Sequence, residues 1–322
     1  MRVAEVTAFG GPEVLVTRDV PDPVAGPGQV VIGVSVVDTI FLDTQLRSGW
    51  GGEYFTMTPP YVPGGGVAGQ VVAAGEGVDP DWVGRRVVTS IGERGGYAER
   101  AVAPADGLVP VPDGLGLRDA AALVHDGPAA LCLAETARIQ PGEWVLVAPA
   151  AGGLGILLVQ LAASAGARVV AAARGEHKLD LARKLGAEVT VDYTEAGWPE
   201  RVRAATGGTG PAVVFDGVGG ENGRAAFGLT ARGGRFHAYG APSGALTQAD
   251  PDEARRREVT VVGLFDLRFD RRPLTERALA EASAGRIQPV IGRTFPLDRA
   301  ADAHAAMEAR TVLGKTLLLT GG

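Results

Sequence analysis

Trp144 to Ala165 reads WVLVAPAAGGLGILLVQLAASA. An apolar run, Val145 to Ala148, stops at Pro149, small residues follow, and an apolar helical pattern resumes through Ile156, Leu157, Val159, Gln160 and Leu161. This is the signature of a strand, a tight turn and a helix. The turn Ala150-Ala151-Gly152-Gly153-Leu154-Gly155 is the dinucleotide fingerprint G-x-G-x-x-G with alanine in first place. Gly152 would admit a pyrophosphate close to the backbone, Gly155 would allow tight helix–strand packing, and the helix N-terminus would offer free N–H groups to the phosphates.

The next apolar run, Val169 to Ala173, ends at Arg174, about 20 residues beyond the glycines, where NAD-binding units place an acid on the ribose hydroxyls. Arg174 is instead a fixed cation suited to a 2′-phosphate, with Lys178 following on the next helix. NADPH is therefore the expected cofactor. The competing reading of Arg174 and Lys178 is a solvated basic edge.

The chain has 322 residues, long enough for two domains, and a net charge of -6, which argues against nucleic acid or an anionic membrane as main partner. Its single cysteine, Cys132, forms no intramolecular disulfide and no cysteine-based zinc lobe. The opening MRVAEVTAFG lacks a long apolar core and no apolar span is long enough to cross a bilayer, so a cytoplasmic location is expected.

Up to about residue 123 the chain shows short β-branched runs between Gly and Pro: Val3–Ala8, Val14–Thr17, Gln29–Val37, Val67–Ala74, Arg86–Ser90 and Tyr97–Ala103. They predict a compact antiparallel barrel, with a helix at Thr39–Leu46 before a long aromatic loop, Ser48 to Tyr61. From Val145 to Asp216 strands and helices alternate, which predicts a doubly wound parallel sheet, completed by strands Arg235–Tyr239 and Val259–Phe265 and a helix at Leu274–Ala284. Residues 287–322 return to strand, helix (Arg299–Arg310) and strand (Thr316–Thr320), and are expected to pack on the N-terminal part, with the cofactor in a cleft between the two domains.

Over nearly its whole length the chain resembles the medium-chain dehydrogenase/reductase superfamily, in its zinc-independent quinone oxidoreductase (zeta-crystallin-like) branch. The matching pieces are Val37-Asp38 with Arg47-Ser48-Gly49, Pro63-Gly64-Gly65-Gly66-Val67-Ala68-Gly69, Gly95-Gly96-Tyr97-Ala98-Glu99, Pro141-Gly142-Glu143, Lys184-Leu185-Gly186-Ala187, Phe215 to Gly220, and Pro296-Leu297 through Gly314-Lys315. The resemblance implies a GroES-like β-barrel domain for residues 1–123 and 287–322, a Rossmann domain for 124–286, and dimers formed through the strand Val259–Phe265. It implies that the cofactor is held by Ala151, Gly152, Gly153, Leu154, Gly155, Arg174, Lys178 and Tyr193, with Val218, Tyr239, Gly240, Ser243 and Phe265 on loops closing over ribose and nicotinamide.

In similar zinc alcohol dehydrogenases a Cys stands near Asp38, and Gly-His-Glu stands where this chain has Gly64-Gly65-Gly66; with histidines only at 125, 177, 237 and 304, no three-ligand zinc site can be assembled by motif. The expected reaction is metal-independent hydride delivery to a quinone or similar electron-poor acceptor. Reduction of an enone or enoyl substrate, and NADPH binding without turnover, remain open beside it. Catalytic candidates are Tyr54, Arg47, Asp38 and His125, with Tyr61 and Ser35 behind them. Each has a plainer reading: Asp38 as cap of the helix beginning at Thr39, Arg47 paired with Asp38 or Asp43 across a helical turn, the tyrosines as core or oligomer contacts, His125 as a buried hydrogen-bonded histidine. Quinone oxidoreductases usually carry Asn at Ser35, and Thr and Tyr at Ala129 and Leu131, so some polar contacts expected near the nicotinamide are missing.

Overall fold

A computed structural model describes residues 1–52 and 54–321. Glu53 of the long loop and Gly322, the last residue of the expected C-terminal piece, lie outside the described residues. Contacts divide the chain into two compact units, Met1–Pro128 with Arg271–Gly322, and Ala129–Asp270.

The first unit begins with β1 (Arg2–Val6) and β2 (Leu15–Asp19), an antiparallel pair. β3 (Gln29–Thr39) is its spine, followed by α1 (Phe41–Arg47), β4 (Gly66–Ala74), β5 (Arg86–Ser90), β6 (Arg100–Pro104), the short β7 (Val109–Pro110), the helix α2 (Leu117–Leu123) and the first turn of α3 (Asp126–Ala137), whose residues from Ala129 on belong to the second unit. β3 is antiparallel to both β4 and β6. Its side chains alternate between faces, so Val30, Ile32 and Val34 enter a core shared with Val67, Val71, Val87, Tyr97 and Leu108. The register of β3 against β4 shifts between Val34 and Val36, and beyond the irregularity Val37 is the residue in that core. Its neighbour Asp38 therefore faces the other way. The strand runs to Thr39 and α1 starts at Phe41, so Asp38 is not the cap of a helix at Thr39, as the sequence suggested; Asp43 accepts the Ile40 N–H instead (3.0 Å).

The second unit carries β8 (Trp144–Ala148), α4 (Gly153–Ser164), β9 (Arg168–Ala173), α5 (Glu176–Lys184), β10 (Val189–Asp192), α6 (Trp198–Ala205), β11 (Val213–Asp216), α7 (Gly220–Leu229), β12 (Arg235–Ala238), α8 (Pro251–Arg257) and β13 (Thr260–Gly263). Its six strands are all parallel in the order β10-β9-β8-β11-β12-β13. Val145, Val147, Val169, Val170, Val213 and Val214 are fully buried, as continuous apolar strands covered on both faces require. The strand order reverses between β8 and β11, the switch point at whose carboxyl edge ligands bind in open α/β sheets. The expected strand Val259–Phe265 is shorter: Leu264–Asp266 turns as a 3-10 helix. The sequence reading missed α8, although its signals are local: Asp250 accepts from Asp252 and Glu253 N–H, Pro251 follows the cap, and three arginines close the last turn.

The chain then returns to the first unit through α9 (Arg271–Ser283), β14 (Ile291–Pro296), α10 (Ala300–Glu308) and β15 (Lys315–Leu319). Here the expected boundary at residues 286 and 287 is corrected. α9 belongs to the first unit because it packs where Gly127 has no side chain; a Cβ there would stand 2.7 Å from the Cβ of Ala278. β15 runs antiparallel to β3, with Leu317 opposite Asp38, and parallel to β14, so the sheet of this unit is not wholly antiparallel. Among the described residues no helix is long and apolar enough to cross a membrane.

One buried group in the second sheet is an orphan. His237 on β12 lies against Phe215 with ring centroids 5.3 Å apart, and both ring nitrogens are buried without a hydrogen-bond partner. Burial, helped by Arg235, pushes its pKa down to about 4. A depressed folded-state pKa means stability that is present above the unfolded value and lost as pH falls toward 4; the shift corresponds to roughly 3 kcal/mol. His237→Leu should flatten the loss of melting temperature between pH 6.5 and 4. An unchanged acid slope in a thermal-shift series would show that His237 carries none of it.

Candidate active site

At the carboxyl edge of the second unit, β8 ends at Ala148 and α4 begins at Gly153 with Gly152 as its N-cap. A Cβ on Gly155 would lie 1.9 Å from the carbonyl oxygen of Pro149, so helix and turn approach too closely for any side chain. Gly152 differs: the nearest atom to a Cβ there is 3.8 Å away. Nothing in the protein's own packing demands its bareness. Ala151 is buried at the motif's first position, and Gly153 and Leu154 open the helix, whose first N–H groups have no intrahelical acceptor.

Across the switch point Asp216, fully buried, organises the facing loop. It accepts from Val218 N (2.9 Å), Gly219 N (3.1 Å) and Thr247 Oγ1 (2.5 Å), while Gly217 N donates to Ala148 O (2.6 Å). The Tyr239 ring lies where a Gly217 side chain would be, 2.3 Å from the Cβ position, and Ser243 N donates to Val218 O (3.1 Å). Val218, Tyr239, Gly240 and Ser243 thus form one connected surface, and Phe265 stands 50% exposed on the turn after β13.

Arg174 follows β9 directly, exposed and without a hydrogen bond or ion pair among the described residues. Its neighbour Gly175, at φ 80°, donates its N–H to Asp192 Oδ2 (2.6 Å), and Thr194 N and Oγ1 occupy Oδ1 (2.8 and 2.6 Å). Partial burial opposes ionisation of Asp192, but these bonds and the nearby Arg174 charge hold its pKa below the usual carboxylate value. The carboxylate at the end of β10 is therefore committed to holding the Arg174 turn. Lys178 and Tyr193 are half-buried beside it, Tyr193 against the core of the unit.

In the first unit the structure assembles a buried charge cluster. Asp38, completely buried, accepts from His125 Nδ1 at Oδ2 (2.8 Å), and its Oδ1 lies 2.7 Å from Lys315 Nζ. Lys315 Nζ also stands 3.0 Å from Asp126 Oδ2. Burial works against the charge on Asp38, but Lys315 and His125 outweigh it and its pKa is lowered. Burial raises that of Asp126 despite Lys315, and Asp126 and Asp38 hold the ammonium above the ordinary lysine range against its desolvation. The His125 side chain is 14% exposed, and its Nε2 has no hydrogen bond among the described residues. Lys315 and Asp126 were not singled out from sequence as site residues; the available signal was a lone cation opening the otherwise uncharged, leucine-rich strand Lys315–Leu319.

The other two catalytic candidates lie elsewhere. Arg47 is buried, bonded to Gly10 O (2.9 Å) and paired with Glu308 on α10 rather than with Asp38 or Asp43. Tyr54 is 50% exposed in the long loop, and Tyr61 packs into the core of the unit. Asp43 accepts from the Tyr97 hydroxyl (3.1 Å), which is 2.9 Å from His304 Nε2; burial raises Asp43 to about 6.

The Gly64–Gly66 turn explains itself. Gly64 has φ 88° with the Tyr97 ring 2.2 Å from its Cβ position, a Cβ on Gly65 would strike Gly92 O at 1.7 Å, and one on Gly66 would enter the His125 ring at 2.6 Å. Neither a histidine at 65 nor a glutamate at 66 can be accommodated on this backbone. Among the described residues no three His, Cys, Asp or Glu side chains are disposed to hold a metal ion.

Residues 26–113 match the family model described as alcohol dehydrogenase GroES-like domain, and residues 153–281 that described as zinc-binding dehydrogenase. A 2-haloacrylate reductase of Burkholderia sp is 33% identical, the match covering 96% of each chain. The chain belongs to the medium-chain dehydrogenase/reductase superfamily. Within this superfamily a quinone oxidoreductase of Pseudomonas aeruginosa is 31% identical over 98% of both chains. The structure of Escherichia coli quinone oxidoreductase complexed with NADPH superposes with a TM-score of 0.91 at 28% identity, covering 99% of this chain and all of that one. The protein is an oxidoreductase, which sets aside the reading as a binder without turnover.

The two motif glycines should separate by experiment. Gly155→Ala should lower stability by roughly 1–3 kcal/mol through overpacking, and Gly152→Ala should melt close to the parent. Equal melting temperatures for the two variants would contradict the close approach at Pro149.

Proposed function

We propose that this oxidoreductase uses NADPH and, without a metal ion, reduces a quinone or similarly electron-poor acceptor. The observation that carries the cofactor assignment is Arg174, an unpaired cation at the end of β9 whose backbone is held by Asp192. The open N-terminus of α4 at Gly152, Gly153 and Leu154 receives the pyrophosphate, Arg174 and Lys178 the 2′-phosphate, and Tyr193 lies by the adenosine. Val218, Tyr239, Gly240, Ser243 and Phe265 supply the contacts to ribose and nicotinamide. The second unit is then the NADPH-binding domain and the first the acceptor domain. Bound NADPH supplies a hydride; the protein's own contribution is position, exclusion of water and a proton.

For the proton we assign His125, held by Asp38 through Nδ1 with Nε2 left to donate. Arg47 and Tyr54 are not part of this assignment, since one is engaged with Glu308 and the other stands exposed. The same pair favours a second reading. A quinone sheds charge to water readily, whereas an enone or enoyl acceptor gains from a positioned acid, and one relative is named a 2-haloacrylate reductase. The unpaired outer edge of β13, with Val261 39% and Phe265 50% exposed, supports a homodimer formed by extending the sheet. A single buried cysteine fits a reducing, cytoplasmic setting.

Nicotinamide oxidation measured against a benzoquinone, a naphthoquinone, an enone and a 2-enoyl thioester tests the assignment; turnover of none of them would reject it. Arg174→Glu should weaken NADPH by about 1–3 kcal/mol, roughly 5- to 150-fold in Kd, and leave NADH nearly unchanged. Equal losses for both nucleotides would remove the 2′-phosphate from Arg174. Exhaustive chelation should leave turnover intact, and loss restored by zinc would overturn the metal-free mechanism.

A further inference from the structure

We propose that Lys315 and Asp126 are positioning residues that set how tightly the Asp38–His125 pair holds its transferable proton. The inference rests on the reading of His125 as proton source and deepens it. Four groups from separate stretches of chain meet in one buried place: Asp38 from the end of β3, His125 from the α2–α3 junction, Asp126 from the first turn of α3 and Lys315 from the first residue of β15. Two carboxylates face one ammonium. The two oxygens of Asp38 are divided between the ammonium and the imidazole.

This division has a chemical consequence. An isolated buried carboxylate would clamp a proton on the adjacent imidazole, and a fully neutralised one would barely attract it. Lys315 shares its charge between Asp38 and Asp126, which leaves Asp38 at an intermediate strength. Asp126 acts on His125 in two ways of the same sign: it competes with Asp38 for the ammonium, and its own charge faces the imidazole. The charged and titratable groups facing His125 are Asp38 from β3, Asp43 from α1, Asp126 from α3 and Lys315 from β15; Gly66, which opens β4, and Gly65 before it lie against the ring. In the reaction the Nε2–H bond breaks as a C–H or O–H bond forms on the reduced acceptor, and water returns the proton to Nε2.

A purely structural ion pair would cost stability when broken and move nothing else. A tuning pair predicts two displacements of opposite sign. Lys315→Met removes a positive charge, so the alkaline limb of the kcat profile should move to higher pH by about one unit, with a lower kcat at neutral pH. Asp126→Asn removes a negative charge and should move the limb to lower pH, and Lys315→Arg should return it toward the parent position.

The experiment is the pH dependence of kcat for the full-length protein with NADPH and an enone, alongside NMR titration of the His125 ring in the same variants without acceptor. Asp126→Asn is nearly isosteric and keeps the test open if Lys315→Met does not fold. Opposite shifts in profile and titration support the inference. If His125→Gln abolishes turnover while limb and titration stay put in both charge variants, the inference fails and the assignment of His125 stands. If His125→Gln turns over at the parent rate, the proton-source reading fails with it.

Discussion

A single ammonium in the protein interior constrains the first unit more than any other group. Lys315 is 4% exposed and must be met by opposite charge, because an unpaired buried ion costs several kcal/mol. Asp38 and Asp126 meet it, and in doing so they fasten the last strand of the chain to its third and to the first turn of α3. Register follows from the same constraint. With Leu317 opposite Asp38, Lys315 lies on the same face two residues away, within reach of the carboxylate. Asp38 is the one charged residue of β3 and points away from the apolar core, and His125 is the point at which that charge approaches solvent.

The second unit is organised by a different use of carboxylates. Asp216 and Asp192 hold backbone N–H groups rather than cations, Asp216 fixing the loop that leaves its own strand β11 and Asp192 the one that leaves the neighbouring β9. Glycine supplies the remaining freedom for opposite reasons at two positions: at Gly155 the protein's own backbone forbids a side chain, and at Gly152 nothing in the protein does. The zinc-ligand positions of the wider superfamily are closed by the same kind of contact, Gly92 O over Gly65 and the His125 ring over Gly66.

Two of the errors of the sequence reading share a cause. Asp38 looked like a helix cap because it precedes a helical pattern, but β3 continues two residues further and Asp43 takes the bond to Ile40 N. Arg47 looked like a partner for Asp38 or Asp43 by helical spacing, while its partner, Glu308, arrives on α10 from the far end of the chain. α9 looked like one more crossover helix, yet the bare Cα of Gly127 draws it to the other unit. For Arg47 and α9 a local rule was applied where a segment distant in sequence supplied the contact. The missed helix α8 is the exception, since Asp250, Pro251 and the closing arginines mark it within a few residues.

By itself the sequence determined the alternation of strands and helices from Val145 to Asp216, the glycine turn before α4, the cation at Arg174 and the three glycines at 64–66. These depend on periodicity, on backbone sterics and on residue type, all of which act over a few neighbouring residues. Only the tertiary structure decided that Asp38, His125, Asp126 and Lys315 form one cluster, that Arg47 and Tyr54 stand apart from it, and that Asp192 holds the Arg174 turn. Charges buried together come from segments far apart in the chain, and their pairing is set by sheet register and by the desolvation of each group, which no short stretch of sequence carries.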